Sequence, residues 1–213
     1  MKQIYWIRHG WQGDALYNVD IPLTEAGRRQ AEVTGAWMEQ WGVARLFSSH
    51  LLRARETAEI LNTYLKVPYE IRPAIEEIHY GVFTGQTPQW AREHYPEYFR
   101  LREAETEDAA YPEGENAAMV LERIQPFLEE LKCCPEEQIA VVSHGNVIRT
   151  LTAWLLGLPP QYRFRLGREM ENCGITEVDW DEATDRFLLQ SFNGTEQFRT
   201  HPELRRSAVK SRT

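Results

Sequence analysis

Residues 139–146, with the sequence IAVVSHGN, decide the fold of this 213-residue chain. A short apolar run rich in valine is typical of a strand buried on both faces, as in a parallel sheet. The polar Ser143-His144-Gly145 segment ends that strand, and a helical pattern follows over about 146–156. The N-terminus repeats this design, because QIYWI at 3–7 runs directly into Arg8-His9-Gly10. The two stretches predict two buried strands that each end in a histidine and a glycine.

Strand and helix patterns alternate along the rest of the chain. The apolar spacing predicts further strands at 44–48, 68–71, 175–180 and 186–192, and further helices at 24–41, 53–65 and 116–132. This alternation is typical of an α/β fold, a mainly parallel central sheet with helices on both faces. The aromatic and charged segment at about 86–111, with breaks near its two prolines, is predicted to be a helical lid inserted at one edge. We predict a single domain over 1–195 and a basic, flexible tail over 196–213.

Composition and charge narrow the function classes. A net charge of −8 argues against nucleic acid as the main partner, because phosphate backbones are bound through a surplus of Lys and Arg. The chain has no apolar stretch near the roughly 20 residues that span a bilayer, so no membrane partner is expected. Three cysteines and no apolar leader favour the reducing cytoplasm. The lack of CxxC and HExxH spacing predicts no metal site.

The residues that follow the strands point to an anion site. Ligands of open α/β sheets bind beyond the carboxyl ends of the strands, and Arg8, His9, His144 and Gly145 lie at two such ends. The helix after His144 directs its free amides and positive dipole end to the same place. Arg53 follows a third predicted strand. Two arginines, two histidines and a helix N-terminus together predict a site for a phosphate dianion.

A phosphate-cleaving site also needs a proton donor for the leaving group. Glu76 and Glu77 precede a loop in which glycines bracket aromatic residues, and a carboxyl beside a partly apolar wall can keep its proton near neutral pH. These residues alone leave the choice between the two glutamates open. The role of Asn146 is equally open, since it can donate to a phosphate or cap its helix.

At this point the motifs resemble those of a known family, the histidine phosphatase superfamily, which includes the phosphoglycerate mutases. The resemblance covers about residues 3–193 and rests on several blocks in a fixed order: Arg8-His9-Gly10, Pro22-Leu23-Thr24-Glu25-Ala26-Gly27, Ser48-Ser49, Arg53-Ala54, Thr57-Ala58, Glu77 with Gly81 and Gly85, Pro112 to Asn116, and Ser143-His144-Gly145-Asn146. An RHG tripeptide alone is a weak signal. The blocks together are highly specific.

The resemblance implies a role for each matched residue. His9 would attack phosphorus and carry the phosphoryl group, while Arg8, Arg53 and His144 hold the phosphoryl oxygens, with Gly145 allowing close approach. Glu77 aligns with the family's proton donor. The resemblance implies no metal and no cofactor, because cationic side chains would perform the electrostatic task.

The loop after the RHG tripeptide departs from the family pattern. The run WQGDALYN over 11–18 has a different length, so Asn18 is interpreted as a shifted asparagine of the substrate site. Thr84 stands where many phosphatase members carry Glu, and Asn116 replaces a frequent Ser. These departures leave the physiological substrate open.

The leading hypothesis is a cytoplasmic, metal-independent phosphatase for a small phosphorylated metabolite. A phosphoglycerate mutase-type phosphotransfer uses the same intermediate and is the close alternative, although the compact chain favours hydrolysis. A non-catalytic phosphate-binding module is a second alternative, and a metallohydrolase is a further one. The sequence leaves the oligomeric state open, with a homodimer among the options.

Overall fold

Six strands form one sheet in the computed structural model, which describes residues 1–13, 16–167 and 169–210. The strands are β1 (Lys2–Arg8), β2 (Arg45–Ser48), β3 (Tyr69–Ile71), β4 (Gln138–Ser143), β5 (Ile175–Asp181) and β6 (Arg186–Gly194). The α-helices are α1 (Glu25–Met38), α2 (Leu52–Leu65), α3 (Pro88–His94), α4 (Pro96–Ala104), α5 (Ala117–Cys133), α6 (Gly145–Leu155) and α7 (Arg206–Lys210). In these described ranges no helix is long and apolar enough to cross a membrane.

The strand order is β3-β2-β4-β1-β5-β6, and the first four strands run parallel to their neighbours. The last two form an antiparallel hairpin that adds to the edge of β1. This arrangement confirms the predicted mainly parallel sheet. Strands β1 and β4 pair with Arg8 opposite Ser143, so the two histidine-bearing strand ends lie side by side.

Helices cover both faces of the sheet, as predicted. Because side chains alternate along a strand, Ile4 and Trp6 of β1 point to one face while Tyr5 and Ile7 point to the other. The first pair packs in a buried cluster with residues of α5 and α6. The second pair packs in a separate cluster with residues of α1 and α2. Strand β1 is therefore buried on both faces, which leaves its carboxyl end as the place where polar side chains can meet a ligand.

The segment at 86–111 contains two short helices, α3 and α4. The predicted breaks near Pro88 and Pro96 are helix starts, because each proline occupies the first turn, where its missing N–H costs no hydrogen bond. Thr87 caps α3 by accepting from the Trp90 amide at 3.0 Å. Phe83 stacks on Phe99 of α4 with ring centroids 5.9 Å apart, which ties this segment to the body of the protein.

The predicted flexible tail over 196–213 requires a correction. Its described part, residues 196–210, forms short helical turns at Glu196–Phe198 and Pro202–Leu204, followed by α7. Phe198, Leu204 and Val209 are buried within an otherwise polar and basic stretch. These widely spaced apolar anchors hold the segment against the domain, and their periodicity is too sparse to be recognised in the sequence. Arg212 and the other residues of 211–213 lie outside the described residues.

Candidate active site

His9 stands directly after β1 with its imidazole facing a cleft. Its Nδ1 lies 2.8 Å from the carbonyl oxygen of Gly10. A carbonyl oxygen only accepts, so Nδ1 carries the proton and Nε2 keeps its lone pair. Burial lowers the pKa of His9 well below the usual histidine value, and the positive charges of Arg53 and Arg8 lower it further. His9 is therefore a neutral imidazole near neutral pH, which is the state that a nucleophile needs.

Close backbone packing fixes the turn that carries His9. The Gly10 amide donates to Thr57 Oγ1 at 2.9 Å, and Asn172 Nδ2 donates to the His9 carbonyl oxygen at 2.9 Å. A Cβ on Gly10 would lie only 2.6 Å from the carbonyl oxygen of Gly27. The glycine after the histidine is therefore required because helix α1 approaches the turn closely.

Two arginines line the cleft beside His9. Arg8 donates from Nη1 to the Met170 carbonyl oxygen at 2.5 Å. Arg53 is only 2 % exposed, and its Nη2 donates to Asn18 Oδ1 at 2.6 Å. The predicted site residue Asn18 therefore lines the cleft and accepts a hydrogen bond from the Arg53 guanidinium.

His144 is fully buried at the N-cap position of α6, with its ring centroid 5.2 Å from that of His9. Its Nε2 lies 2.6 Å from Ser49 Oγ, which itself accepts from the Leu51 amide at 3.3 Å. Burial lowers the pKa of His144 well below the usual value, with further lowering by Arg53 and His9. Its Nδ1 has no hydrogen-bond partner among the described residues. A buried polar atom of this kind is suited to a bound ligand.

The structure separates the two candidate glutamates. Glu77 lines the cleft, where its Oε1 accepts from the Ile78 amide at 2.9 Å and its Oε2 from the Asn146 amide at 3.5 Å. Glu76 instead pairs with His50 at 3.5 Å and is absent from the described cleft wall. The geometry thus favours Glu77 as the carboxyl that can reach a substrate.

Gly145 and Asn146 begin α6 at the carboxyl end of β4. Gly145 lies beside Arg8, since a Cβ there would be 3.5 Å from Arg8 Nε. The Asn146 side chain does not cap its own helix but donates from Nδ2 to the Tyr80 hydroxyl at 2.7 Å. Burial raises the pKa of Tyr80 well above its usual value, so this phenol stays protonated and can donate into the cleft. Asn146 therefore positions Tyr80.

The cleft encloses about 340 Å³. Its described lining is Arg8, His9, Gln12, Leu16, Tyr17, Asn18, Arg53, Glu77, Tyr80, Pro88, Arg206 and Lys210. Five polar residues of this lining were not predicted from the sequence: Gln12, Tyr17, Tyr80, Arg206 and Lys210. For Tyr80 a signal was present, because it lies in the loop that follows Glu77. Asp14 and Ala15 of the divergent loop lie outside the described residues.

The described residues contain no cluster of three or more His, Cys, Asp or Glu side chains that could hold a metal ion. The positive charge of the cleft comes instead from arginine and lysine side chains. This arrangement can bind a phosphoryl group, present an imidazole lone pair to phosphorus and offer a carboxyl group to the leaving oxygen.

Comparisons with known proteins agree with this geometry. A family model described as "Histidine phosphatase superfamily (branch 1)" matches residues 4–193. The protein named "Probable phosphoglycerate mutase GpmB" from Escherichia coli O1:K1 is 30% identical over 189 residues, which cover 86% of this chain and 87% of that protein. Its namesake from Yersinia pestis is 29% identical over 192 residues, with the same coverage.

Solved structures of phosphatases share the fold. A complex of a mycobacterial glucosyl-3-phosphoglycerate phosphatase with inorganic phosphate has a TM-score of 0.82 and 25% identity, and the match covers 92% of this chain and 99% of that one. An alpha-ribazole phosphatase from Shigella flexneri has a TM-score of 0.77 and 22% identity over 90% of this chain and 96% of that one, a likeness of fold alone. Together the family match and the structure at 25% identity confirm the predicted enzyme class, a histidine phosphatase.

Proposed function

We propose that this chain, which belongs to the histidine phosphatase superfamily, hydrolyses a small phosphomonoester without a metal ion, through a phosphohistidine on His9. One observation carries the proposal. The His9 imidazole faces the cleft with Nδ1 donating to the Gly10 carbonyl oxygen, which leaves the Nε2 lone pair for phosphorus, and two arginines line the same cleft.

In the first step the Nε2 lone pair of His9 forms a bond to phosphorus, and the bond between phosphorus and the ester oxygen breaks. Glu77 gives a proton to the leaving oxygen, which departs as an alcohol. In the second step Glu77 takes a proton from a water molecule as that water attacks phosphorus. The N–P bond breaks, inorganic phosphate leaves, and the lone pair returns to His9.

The negative charge on the transferring phosphoryl group is balanced by Arg8 and Arg53. Both guanidinium groups are held by oxygen acceptors, so they are in position before the reaction begins. The buried Nδ1 of His144 donates to a phosphoryl oxygen when Ser49 donates its hydroxyl proton to Nε2. The Leu51 amide supports this direction, because it donates to the same Ser49 oxygen.

Phosphotransfer between positions of one substrate is the second candidate. It is favoured by the relatives at 29–30% identity, which are named as probable phosphoglycerate mutases. Hydrolysis is favoured by the solved structure of a glucosyl-3-phosphoglycerate phosphatase, which is named as a hydrolase. Both reactions pass through the same phosphohistidine and differ in whether water or a substrate hydroxyl takes the phosphoryl group. We place the substrate among small phosphorylated metabolites of the cytoplasm.

A product assay in excess EDTA tests the proposal. Wild type, His9→Ala and the control His94→Ala are incubated with p-nitrophenyl phosphate and with 3-phosphoglycerate, and free phosphate and 2-phosphoglycerate are measured. His94 is the matched control because it is an exposed histidine of α3 whose ring lies against Trp90 of the same helix. We expect phosphate from wild type and His94→Ala, and a loss of at least about 10³-fold in His9→Ala.

Three results would contradict the proposal. Full activity of a folded His9→Ala variant would remove His9 as the nucleophile. Loss of wild-type activity in EDTA would remove metal independence. Formation of 2-phosphoglycerate in large excess over free phosphate would replace the hydrolase by the mutase.

A further inference from the structure

The C-terminal segment brings two additional cations to the cleft. Arg206 and Lys210, one turn apart on α7, line the same cleft as His9, Arg8 and Arg53. The chain as a whole carries a net charge of −8. Four cationic side chains around one cleft of an acidic protein are therefore a local concentration of positive charge, which attracts and orients anions.

Arg206 is held in place beside the turn of the nucleophile. Its Nη1 donates to Asn172 Oδ1 at 2.7 Å, and Asn172 in turn donates to the His9 carbonyl oxygen at 2.9 Å. The guanidinium also lies over the Trp11 ring, 4.8 Å from the ring centroid. These contacts hold the guanidinium of Arg206 at a fixed position relative to His9. Its positive charge is therefore a built-in feature of the cleft.

The Arg206 and Lys210 side chains already share one carboxylate. Glu169 lies with Oε2 3.3 Å from Arg206 Nε and Oε1 2.6 Å from Lys210 Nζ. The two cations are therefore close enough to bind a single carboxylate-sized anion. The Glu169 side chain is 51 % exposed, so its carboxylate can turn to solvent when another anion takes its place. The Lys210 side chain is itself 38 % exposed, so its ion pair with Glu169 is open to solvent and contributes little to stability.

Arg8 and Arg53 line the cleft with His9 and are assigned to the phosphoryl group that His9 attacks. A phosphomonoester with no other anionic group would offer Arg206 and Lys210 no anion in place of Glu169. We propose that the physiological substrate is a phosphomonoester with a second anionic group, a carboxylate or a phosphate, which binds Arg206 and Lys210. This inference rests on the proposed function, because it assumes that the phosphoryl group binds at His9.

Matched substrates test the inference. Glycerol 3-phosphate and 3-phosphoglycerate differ only in the replacement of a hydroxymethyl group by a carboxylate. Fructose 6-phosphate and fructose 1,6-bisphosphate test a second phosphate. Phosphate release gives kcat/KM for each substrate, and the ratio within each pair measures selectivity for the second anion. In at least one pair, we expect wild type to favour the substrate with the second anionic group by tenfold or more.

The variants are Arg206→Gln and Lys210→Gln, with Arg205→Gln as the control. Arg205 is an exposed arginine of the same segment and is absent from the described cleft wall. Each cleft variant should reduce the wild-type selectivity ratio about tenfold, while Arg205→Gln keeps the ratio. Arg206 also anchors its segment, so Arg206→Gln alone could act through loss of packing. Lys210→Gln and the charge-conserving Arg206→Lys separate charge recognition from that effect. Arg206→Lys should restore part of the ratio that Arg206→Gln loses.

The outcomes distinguish the two proposals. A selectivity ratio near one in wild type, or ratios that neither cleft variant changes, would overturn the second anion site while the hydrolase stands. A ratio that falls equally in Arg205→Gln would also overturn it. No phosphate release from any of the substrates or from p-nitrophenyl phosphate would instead reject the proposed function itself.

Discussion

The inner and outer parts of the cleft are built differently. The inner part consists of His9 and Arg53, which are nearly inaccessible to solvent and are positioned by a strand end and a helix start, and the buried His144 has its ring centroid 5.2 Å from that of His9. The outer part consists of Leu16, Pro88 and Lys210, which come from a loop, the start of α3 and the C-terminal segment and are more exposed. The comparison indicates that the sheet sets the chemistry of the cleft, whereas the surrounding segments set its selectivity.

Removal of an inner charge should have the largest effect among the charge variants. Arg53→Met should lower kcat/KM on p-nitrophenyl phosphate by about 10²- to 10³-fold, because a preorganised charge in a buried site stabilises the transition state. The control is Arg29→Gln, an arginine with a 56% exposed side chain on α1. A loss at Arg53 no greater than that at Lys210 would erase the distinction between inner and outer cleft.

Replacement of the proposed proton donor should have an effect that depends on the leaving group. Glu77→Gln should reduce hydrolysis of glycerol 3-phosphate by about 10²-fold and that of p-nitrophenyl phosphate far less, because nitrophenolate leaves without a proton. The neighbouring Glu76→Gln is the matched control, since Glu76 is directed to His50. Equal losses on both substrates would exclude Glu77 as the acid.

The acid limb of the pH profile should report the charges around His9. The proposed attack requires neutral His9, whose pKa is lowered well below 6.5 by burial and then by Arg53 and Arg8. Since the neutral form persists as the pH falls through 6.5, wild-type kcat/KM should decline only at lower pH. Arg53→Met removes a positive charge that lowers the His9 pKa, so the acid limb of this variant should move to higher pH.

Arg206→Gln should shift the limb in the same direction but less, because Arg206 lowers the His9 pKa less than Arg53 and Arg8 do. The profiles of wild type, Arg53→Met and Arg206→Gln are all measured with p-nitrophenyl phosphate. The ionisation of this substrate is therefore the same in each profile and does not affect the differences between them. Two results would contradict this order of effects on the His9 pKa. One is an acid limb of wild type at the ordinary histidine pKa, and the other is a larger shift of the limb in Arg206→Gln than in Arg53→Met.

The inner cleft was predictable from sequence because its residues follow strong strand patterns. Arg8 and His9 directly follow QIYWI, and His144 follows IAVV, so the rule that ligands bind at strand ends was enough to bring them together. The pairing of Arg8 with Ser143 confirms this proximity. The resemblance to the family then selected Glu77 over Glu76, and the structure places Glu77 on the cleft wall.

The outer cleft was not predictable for physical reasons. The segment that carries Arg206 and Lys210 is held by three buried apolar side chains, Phe198, Leu204 and Val209, whose spacing matches no regular period. Its docking also depends on residues distant in sequence, such as Glu171, which accepts from the Arg206 amide at 2.8 Å. Long-range contacts of this kind leave no local pattern in the sequence. The polar composition of the segment therefore predicted a tail, whereas in the structure the segment forms a wall of the cleft.

The most direct test of the account is a search for the covalent intermediate. Wild type and His9→Ala are mixed with substrate, quenched in alkali, which preserves phosphohistidine, and digested for mass spectrometry of the peptide that contains His9. The account predicts a phosphorylated His9 peptide in wild type at early times and none in the variant. An unmodified His9 peptide throughout active turnover, or a phosphoryl group found on another residue, would contradict it.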